Sequence, residues 1–373
     1  MTRPFITSLL LMSSLSILAQ EKLQIKGEIT GISAYSKITL SGDVEEQEVV
    51  LDGDRFELEM ELKEAPTLVS LLAIDGSDYK YTNFFVGNES IVIKGSIDDM
   101  PGNIKAQNSK YDGLRYEEFV MNRELSEEYL RLNEEIGQLL AEGKSRDSLL
   151  PIYISKTEPL GKMTKVMNAM SDNTFEFLKR NINTEYGRSI LRYQTSEFTT
   201  KQYETLLTLV DPVFRDTQEI KYIQALVDFK PLDVGDKYYD FEALDEFGKT
   251  VQFNEFFTGK YVMVDFSTFN CGFCHMAAPR IAELEEELKD RLTVVTYYVD
   301  NDLENLKQYK ALKGNTGHII YSEEGGLSAT IAKYRQTGTP RYALFNEKGE
   351  FVENFEGLQQ EDFAERLKDL MDK

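Results

Sequence analysis

The chain reads as an α/β domain at its C-terminal end, preceded by a small antiparallel β-domain and a helical region, and three features of the sequence carry that reading. Between residues 23 and 95 apolar side chains recur with period two: Leu23, Ile25 and Ile29, then Phe56, Leu58, Met60 and Leu62, then Ile91 and Ile93. Turn signals separate these groups, the mark of half-buried strands. From about residue 111 the period lengthens to that of helices. Near residue 261 a nearly continuous apolar run, YVMVDF, is of the kind buried on both faces of a parallel sheet, and a helical pattern follows it. The expected boundaries are 1–19 for a leader, 20–107 for the β-domain, 108–230 for the helical region and 231–373 for the α/β domain.

The 373 residues include 41% apolar side chains, ample for sizeable cores, while 42 basic against 64 acidic residues give a net charge of −22. Such a surface repels phosphate backbones, so nucleic-acid binding is not expected. Residues 1–19 carry Arg3, an apolar stretch broken by serines and threonine, and Ile-Leu-Ala before a polar Gln-Glu-Lys. That is the form of a secretory leader, too short and too interrupted for a span. An exported, periplasmic or cell-envelope location is expected, without lipid attachment at a leader-proximal Cys, since none follows.

In the β-domain, Asp52-Gly53 between Val49-Val50-Leu51 and Phe56 predicts a hairpin. Helices are expected over 116–141, 152–170, 175–180, 186–193, 201–209 and 218–229. Met163, Met167 and Met170 fall at helical spacing, which points to core packing rather than to a ligand stripe. Pro231 and Gly235 open the last domain, where 241–244 and 250–253 predict a hairpin. Strands at 292–299 and 318–321 alternate with helices at 303–312 and 327–334. A closing hairpin over 343–353 and a helix over 362–371 complete it.

The chemistry gathers at Cys271 and Cys274, the only cysteines, which lie between the run at 261–266 and a helix whose Ala277, Ala278, Ile281, Leu284 and Leu288 share one face. The first sulfur then sits at a helix N-terminus, where unpaired amides and the macrodipole stabilise a thiolate. Asp265, on the buried strand just before the site, would be desolvated, its pKa raised, and suited to exchange a proton with Cys274; packing or capping alone is the alternative.

The span 264–279 resembles the active-site segment of thioredoxin: Asp265, then CGFC, then Pro279. GTPRYALF, from Gly338, resembles that family's cis-proline loop, with Thr339-Pro340 ahead of a strand. With a leader in front, the chain is similar to exported TlpA/ResA-like thiol-disulfide oxidoreductases, with an N-terminal β-domain of unknown function. The resemblance implies a thioredoxin fold from about Leu232 onward. It implies Cys271 as nucleophile, Cys274 as resolving thiol, the two forming a redox disulfide, and Asp265 as proton acceptor. It also implies substrate contact at Thr339 and Pro340, to which the flanking Phe273 and Phe269 can add apolar surface. Asn270 stands where the family has Trp, Ala277 where the TlpA/ResA branch often has Glu, and no lysine near Thr296 matches thioredoxin's.

Other chemistries remain beside exchange. A loop staple would close almost no chain. Cys271, Cys274 and His275 spell a haem-attachment motif, and with His318 they are the only soft ligands for a metal. Thr268 three residues before Cys271 matches part of a peroxiredoxin motif, and disulfide isomerase or oxidase activity would use the same dithiol. The expected activity is thiol-disulfide exchange in the reducing direction without a cofactor or metal, on client proteins, with regeneration by a membrane electron donor. Residues 23–229 are expected to serve client binding or homodimerisation.

Overall fold

The computed structural model describes residues 22–42, 46–191, 198–314, 317–357 and 363–372. The leader expected at 1–19 lies outside them. The chain divides into two compact units, the first ending at Arg123 and the second beginning at Glu124.

The first unit contains β1 (Leu23–Thr30), β2 (Lys37–Ser41), β3 (Gln47–Glu48), β4 (Arg55–Met60), β5 (Thr67–Asp75), β6 (Asp78–Val86), β7 (Ser90–Ser96), β8 (Ala106–Gln107) and the start of α1 (Asp112–Ala141). They form two four-stranded sheets, β4-β1-β7-β8 and β3-β2-β5-β6, whose pairings are antiparallel except for β1 with β7. Alternation in the sequence explains the packing: Leu23, Ile25 and Ile29 of β1 point into one core with Leu40, Leu71, Phe84, Ile91 and Ile93 from both sheets. Gly27 faces Phe56, its cross-strand partner, and a Cβ there would come within 2.1 Å of the ring. The Asp52-Gly53 turn is present, with Asp52 bridging to Arg55. Reciprocal backbone bonds between Asp52 and Arg55 close the turn, but the ladder goes no further, because β3 before it and β4 after it belong to different sheets. The turn signal is local, and partner choice is set by which core face each strand fills. Asp112 starts α1: its buried carboxylate accepts the amides of Phe85 (3.0 Å) and Ala106 (2.8 Å) and pairs with Arg115.

In the second unit, α2 (Arg146–Tyr153), α3 (Lys162–Asn181), α4 (Glu185–Leu191), α5 (Thr200–Leu209) and α6 (Gln218–Asp228) follow. The single helix expected over 152–170 is broken, and 175–180 belongs to α3. Pro159 removes a helical donor, and Gly161 packs so close to the Tyr153 backbone that a Cβ would lie 2.4 Å from its carbonyl carbon. Met163 is buried and Met170 packs on the same cluster, but Met167 is exposed, contrary to the expectation that all three are core.

The C-terminal domain has β9 (Glu242–Asp245), β10 (Thr250–Gln252), β11 (Tyr261–Ser267), α7 (Gly272–Glu287), β12 (Leu292–Tyr298), α8 (Leu303–Leu312), β13 (His318–Tyr321), α9 (Ala329–Lys333), β14 (Arg341–Phe345), β15 (Phe351–Glu356) and α10 (Phe363–Met371). The helix expected over 327–334 is shorter, because Gly325–Leu327 forms a separate 3₁₀ turn. The sheet order is β10-β9-β13-β12-β11-β14-β15, with β11, β12 and β13 parallel and the flanking strands antiparallel. This is a thioredoxin-like fold. Strand alternation sorts the faces. Met263, Val294, Tyr342 and Leu344 pack with Ile281 and Leu284 of α7 and Phe363 and Leu367 of α10. On the opposite face Phe266, Tyr297, Phe345, Phe241 and Phe253 form an aromatic layer against Tyr334.

Candidate active site

The apolar run of β11 is buried throughout from Val262 to Ser267 and delivers the chain to the helix start at a fixed point. Cys271 caps α7: its Sγ accepts the Cys274 amide at 3.2 Å. Its thiol also donates to the Thr339 carbonyl at 3.3 Å, across the loop that holds the cis Thr339-Pro340 bond. Burial pushes the Cys271 thiol up, but hydrogen bonds from the Cys274 and Thr339 side chains and from the Cys274 and Phe273 amides outweigh it, so its pKa ends below the usual thiol value. Cys274, one turn on, is fully buried beside Ala278, Tyr298 and Tyr309. Burial, and after it the Cys271 side chain, pushes its pKa up to about 12. Both thiols are free. At neutral pH the pair therefore offers one activated, partly accessible sulfur and one protected thiol in reserve.

Around the sulfurs, Phe273 is 56% and Met276 68% exposed, while Phe269 is half-buried. The His275 ring packs tilted against that of Phe269 with centroids 4.7 Å apart, and its Nε2 meets the Phe269 carbonyl. Asn270 donates to Asp300 Oδ2 at 3.1 Å, and the Thr268 hydroxyl accepts the Asn270 amide at 3.4 Å.

Asp265 lies in β11 opposite Thr296 of β12 and Tyr342 of β14 and is 1% exposed. Its Oδ1 accepts from Ser267 at 2.5 Å and its Oδ2 from Thr296 at 3.1 Å. Burial raises its pKa, against the opposing pull of Lys313, Ser267, Thr296 and Tyr309. The Tyr309 and Tyr342 hydroxyls are buried without a hydrogen bond of good geometry. Burial first, and then the Asp265 charge, raises both, and both also feel the charges of Cys271 and Cys274.

Sequence reasoning missed Lys313. It follows the last turn of α8, is 0% exposed, and donates Nζ to Thr296 Oγ1 at 2.8 Å. Its Nζ also lies 3.9 Å from Glu285 Oε2 of α7. The buried cation absent from the strand near Thr296 thus arrives from a helix end instead. A Lys-Gly pair closing a helix reads as an ordinary C-terminal cap, and no spacing rule says that its ammonium turns inward. Glu285 is likewise drawn in, its carboxyl pushed up by burial against the pull of Lys313.

Among the described residues no three His, Cys, Asp or Glu side chains gather in a way that could hold a metal ion, and no helix is long and apolar enough to cross a membrane. Residues 233–370 match the Redoxin family. A thioredoxin of Acidithiobacillus ferridurans is 36% identical over 73 residues, which are 20% of this chain and 66% of that protein. Among solved structures, the thioredoxin domain of a thiol-disulfide oxidoreductase from Bacteroides vulgatus is 22% identical, with 38% of this chain and 99% of that chain covered and a TM-score of 0.34. A putative thiol:disulfide interchange protein DsbE from Chlorobium tepidum is 23% identical, with 38% and 96% covered and a TM-score of 0.34. All these likenesses fall on part of the chain, and the helices and sheets before residue 233 lie outside the family match.

Proposed function

We propose that the protein is an exported thiol-disulfide oxidoreductase that reduces disulfides in client proteins. The Cys271 thiolate attacks one sulfur of a client disulfide, forming a mixed disulfide and releasing the other client sulfur, which takes a proton. Cys274 then gives its proton to the Asp265 carboxylate and attacks Cys271 Sγ. The bond between Cys271 and the client breaks, a Cys271–Cys274 disulfide forms, and the client has gained two electrons and, with the protons, two thiols. No cofactor takes part. A membrane electron donor returns two electrons to the dithiol, and the region before residue 233 recruits clients or a second copy of the chain.

The observation that carries the reading is the asymmetry of the two thiols, one lowered at the helix cap and the other buried with its pKa near 12. The direction follows from weighing two effects. Stabilising the Cys271 thiolate favours the reduced form and makes the pair more oxidising, whereas the buried carboxylate opposes thiolate charge and favours the disulfide. We take the second effect to prevail, because Asp265 and the Cys274 thiol are both buried. Equilibrating the dithiol against glutathione tests this: a potential toward that of thioredoxin, about −270 mV, is expected, and one near −120 mV would make the protein an oxidase. Consumption of peroxide in preference to disulfides would replace the reading with a peroxidase.

A further inference from the structure

Residue 335 occupies a position where glycine is the usual choice. At the end of α9 the Gln336 amide donates to the Ile331 carbonyl at 3.0 Å and the Arg335 amide to the Ala332 carbonyl at 3.1 Å, the paired bonds of a Schellman cap. Arg335 sits just past the cap with φ at 53°, a left-handed conformation that L side chains other than Asn and Asp rarely adopt. Its side chain supplies what glycine could not. Nη2 donates to the carbonyls of Leu226 at 2.6 Å and Phe229 at 2.7 Å, at the C-terminal end of α6. The last carbonyls of a helix have no partner within it and carry the negative end of its dipole, so a guanidinium there is doubly matched.

The segment that begins at Arg335 leads directly to the dithiol. Gln336 is buried and its side-chain amide holds the Tyr334 carbonyl at 2.9 Å. Thr337 and Gly338 are exposed, and Thr339 presents its carbonyl to Cys271 Sγ. The far end is held by the Gly357 amide on the Pro340 carbonyl at 3.0 Å. A short loop fixed at both ends therefore sets how Thr339 meets the nucleophile. Its upstream anchor reaches outside the thioredoxin-like fold, into α6.

We propose that Arg335 is a positioning residue that couples the helical region to the dithiol, α6 fixing through its terminal carbonyls the loop that holds Thr339 and Pro340 against Cys271. The catalytic consequence rests on reading Cys271 and Cys274 as an exchanging pair; the structural coupling does not. Two variants of the full chain test it. Arg335→Gly keeps the left-handed backbone and deletes the guanidinium, whereas Arg335→Lys keeps a cation without the planar fork. Thiolate absorbance reports the Cys271 titration, and reduction of a disulfide-linked peptide gives kcat and KM. In the glycine variant the Cys271 titration should move away from its wild-type value as the Thr339 carbonyl that accepts from its thiol draws back. KM should rise roughly three- to tenfold, the size of one oriented hydrogen bond, with the lysine variant between. A merely structural role would lower the unfolding midpoint and leave the Cys271 titration unmoved. If the glycine variant fails to fold, the lysine variant decides. Folded variants with wild-type titration and KM overturn the proposal. A wild type inactive on disulfides, whose Cys271 titration still moves with residue 335, would uphold the coupling and overturn the dithiol reading.

Discussion

Replacing Lys313 with Met tests how the buried charges beneath the dithiol are arranged, because Met keeps most of the volume of the lysine stem and removes only the ammonium. Hydrogen bonds of 2.8 and 3.1 Å through Thr296 put that ammonium within about 6 Å of Asp265, where unit charges in protein surroundings attract by about 3 kcal/mol. Its loss should raise the proton affinity of Asp265 about a hundredfold. Burial already holds this carboxyl above its ordinary value. A carboxyl raised in the fold makes stability fall as pH climbs from the unfolded carboxylate range to the folded pKa, and in Lys313→Met that decline should extend further up. At neutral pH more of Asp265 is then protonated and unable to accept from Cys274, so resolution of a pre-formed mixed disulfide should slow and recover as pH is raised. Rapid-mixing kinetics across the neutral and alkaline range would show it. His318 serves as an internal control: burial and then Lys313 lower its pKa, so its imidazole should titrate higher in the variant. A moved His318 with an unmoved pH profile for resolution would refute Asp265 as the proton acceptor.

Removing a buried carboxylate by Asp265→Asn would also take from the buried Lys313 ammonium an opposing charge that it now faces. Asp265→Asn should slow resolution with little gain in stability, and Asp265→Asn/Lys313→Met should be more stable than either single variant by denaturant unfolding. Phe273→Ser should raise KM for a peptide disulfide by roughly five- to thirtyfold, the effect of losing about 1–2 kcal/mol of apolar contact, and leave reduction of a small disulfide unchanged. Equal losses on both substrates would show that Phe273 acts on the sulfurs rather than on the client.

The dithiol and its strand were legible because two strong local signals coincide there. A strand buried from Val262 to Ser267 needs an apolar run, and a helix start needs a cap, which Cys271 itself provides. The bounds of α8 and β13 followed equally directly from periodicity. What escaped depends on contacts between distant segments. Lys313 and Arg335 both stand at helix ends, where a basic residue is unremarkable in sequence, and only the packed structure turns one toward Asp265 and the other toward α6. The break between α2 and α3 escaped because the apolar spacing continues across it, while Pro159 and the tight Gly161 contact end the helix. At Asp52 the turn was readable, but the division of its flanking strands between two sheets is decided by the core they share.

Trapping of the mixed disulfide tests the central claim most directly. With Cys274→Ser the client should remain covalently attached through Cys271, visible on non-reducing gels and located by mass spectrometry, because the accessible thiolate attacks and nothing resolves it. Cys271→Ser should trap little, since Cys274 is buried and its pKa is about 12. Equal trapping by both variants, or attachment through Cys274, would contradict the assignment of nucleophile and resolving thiol on which the mechanism stands.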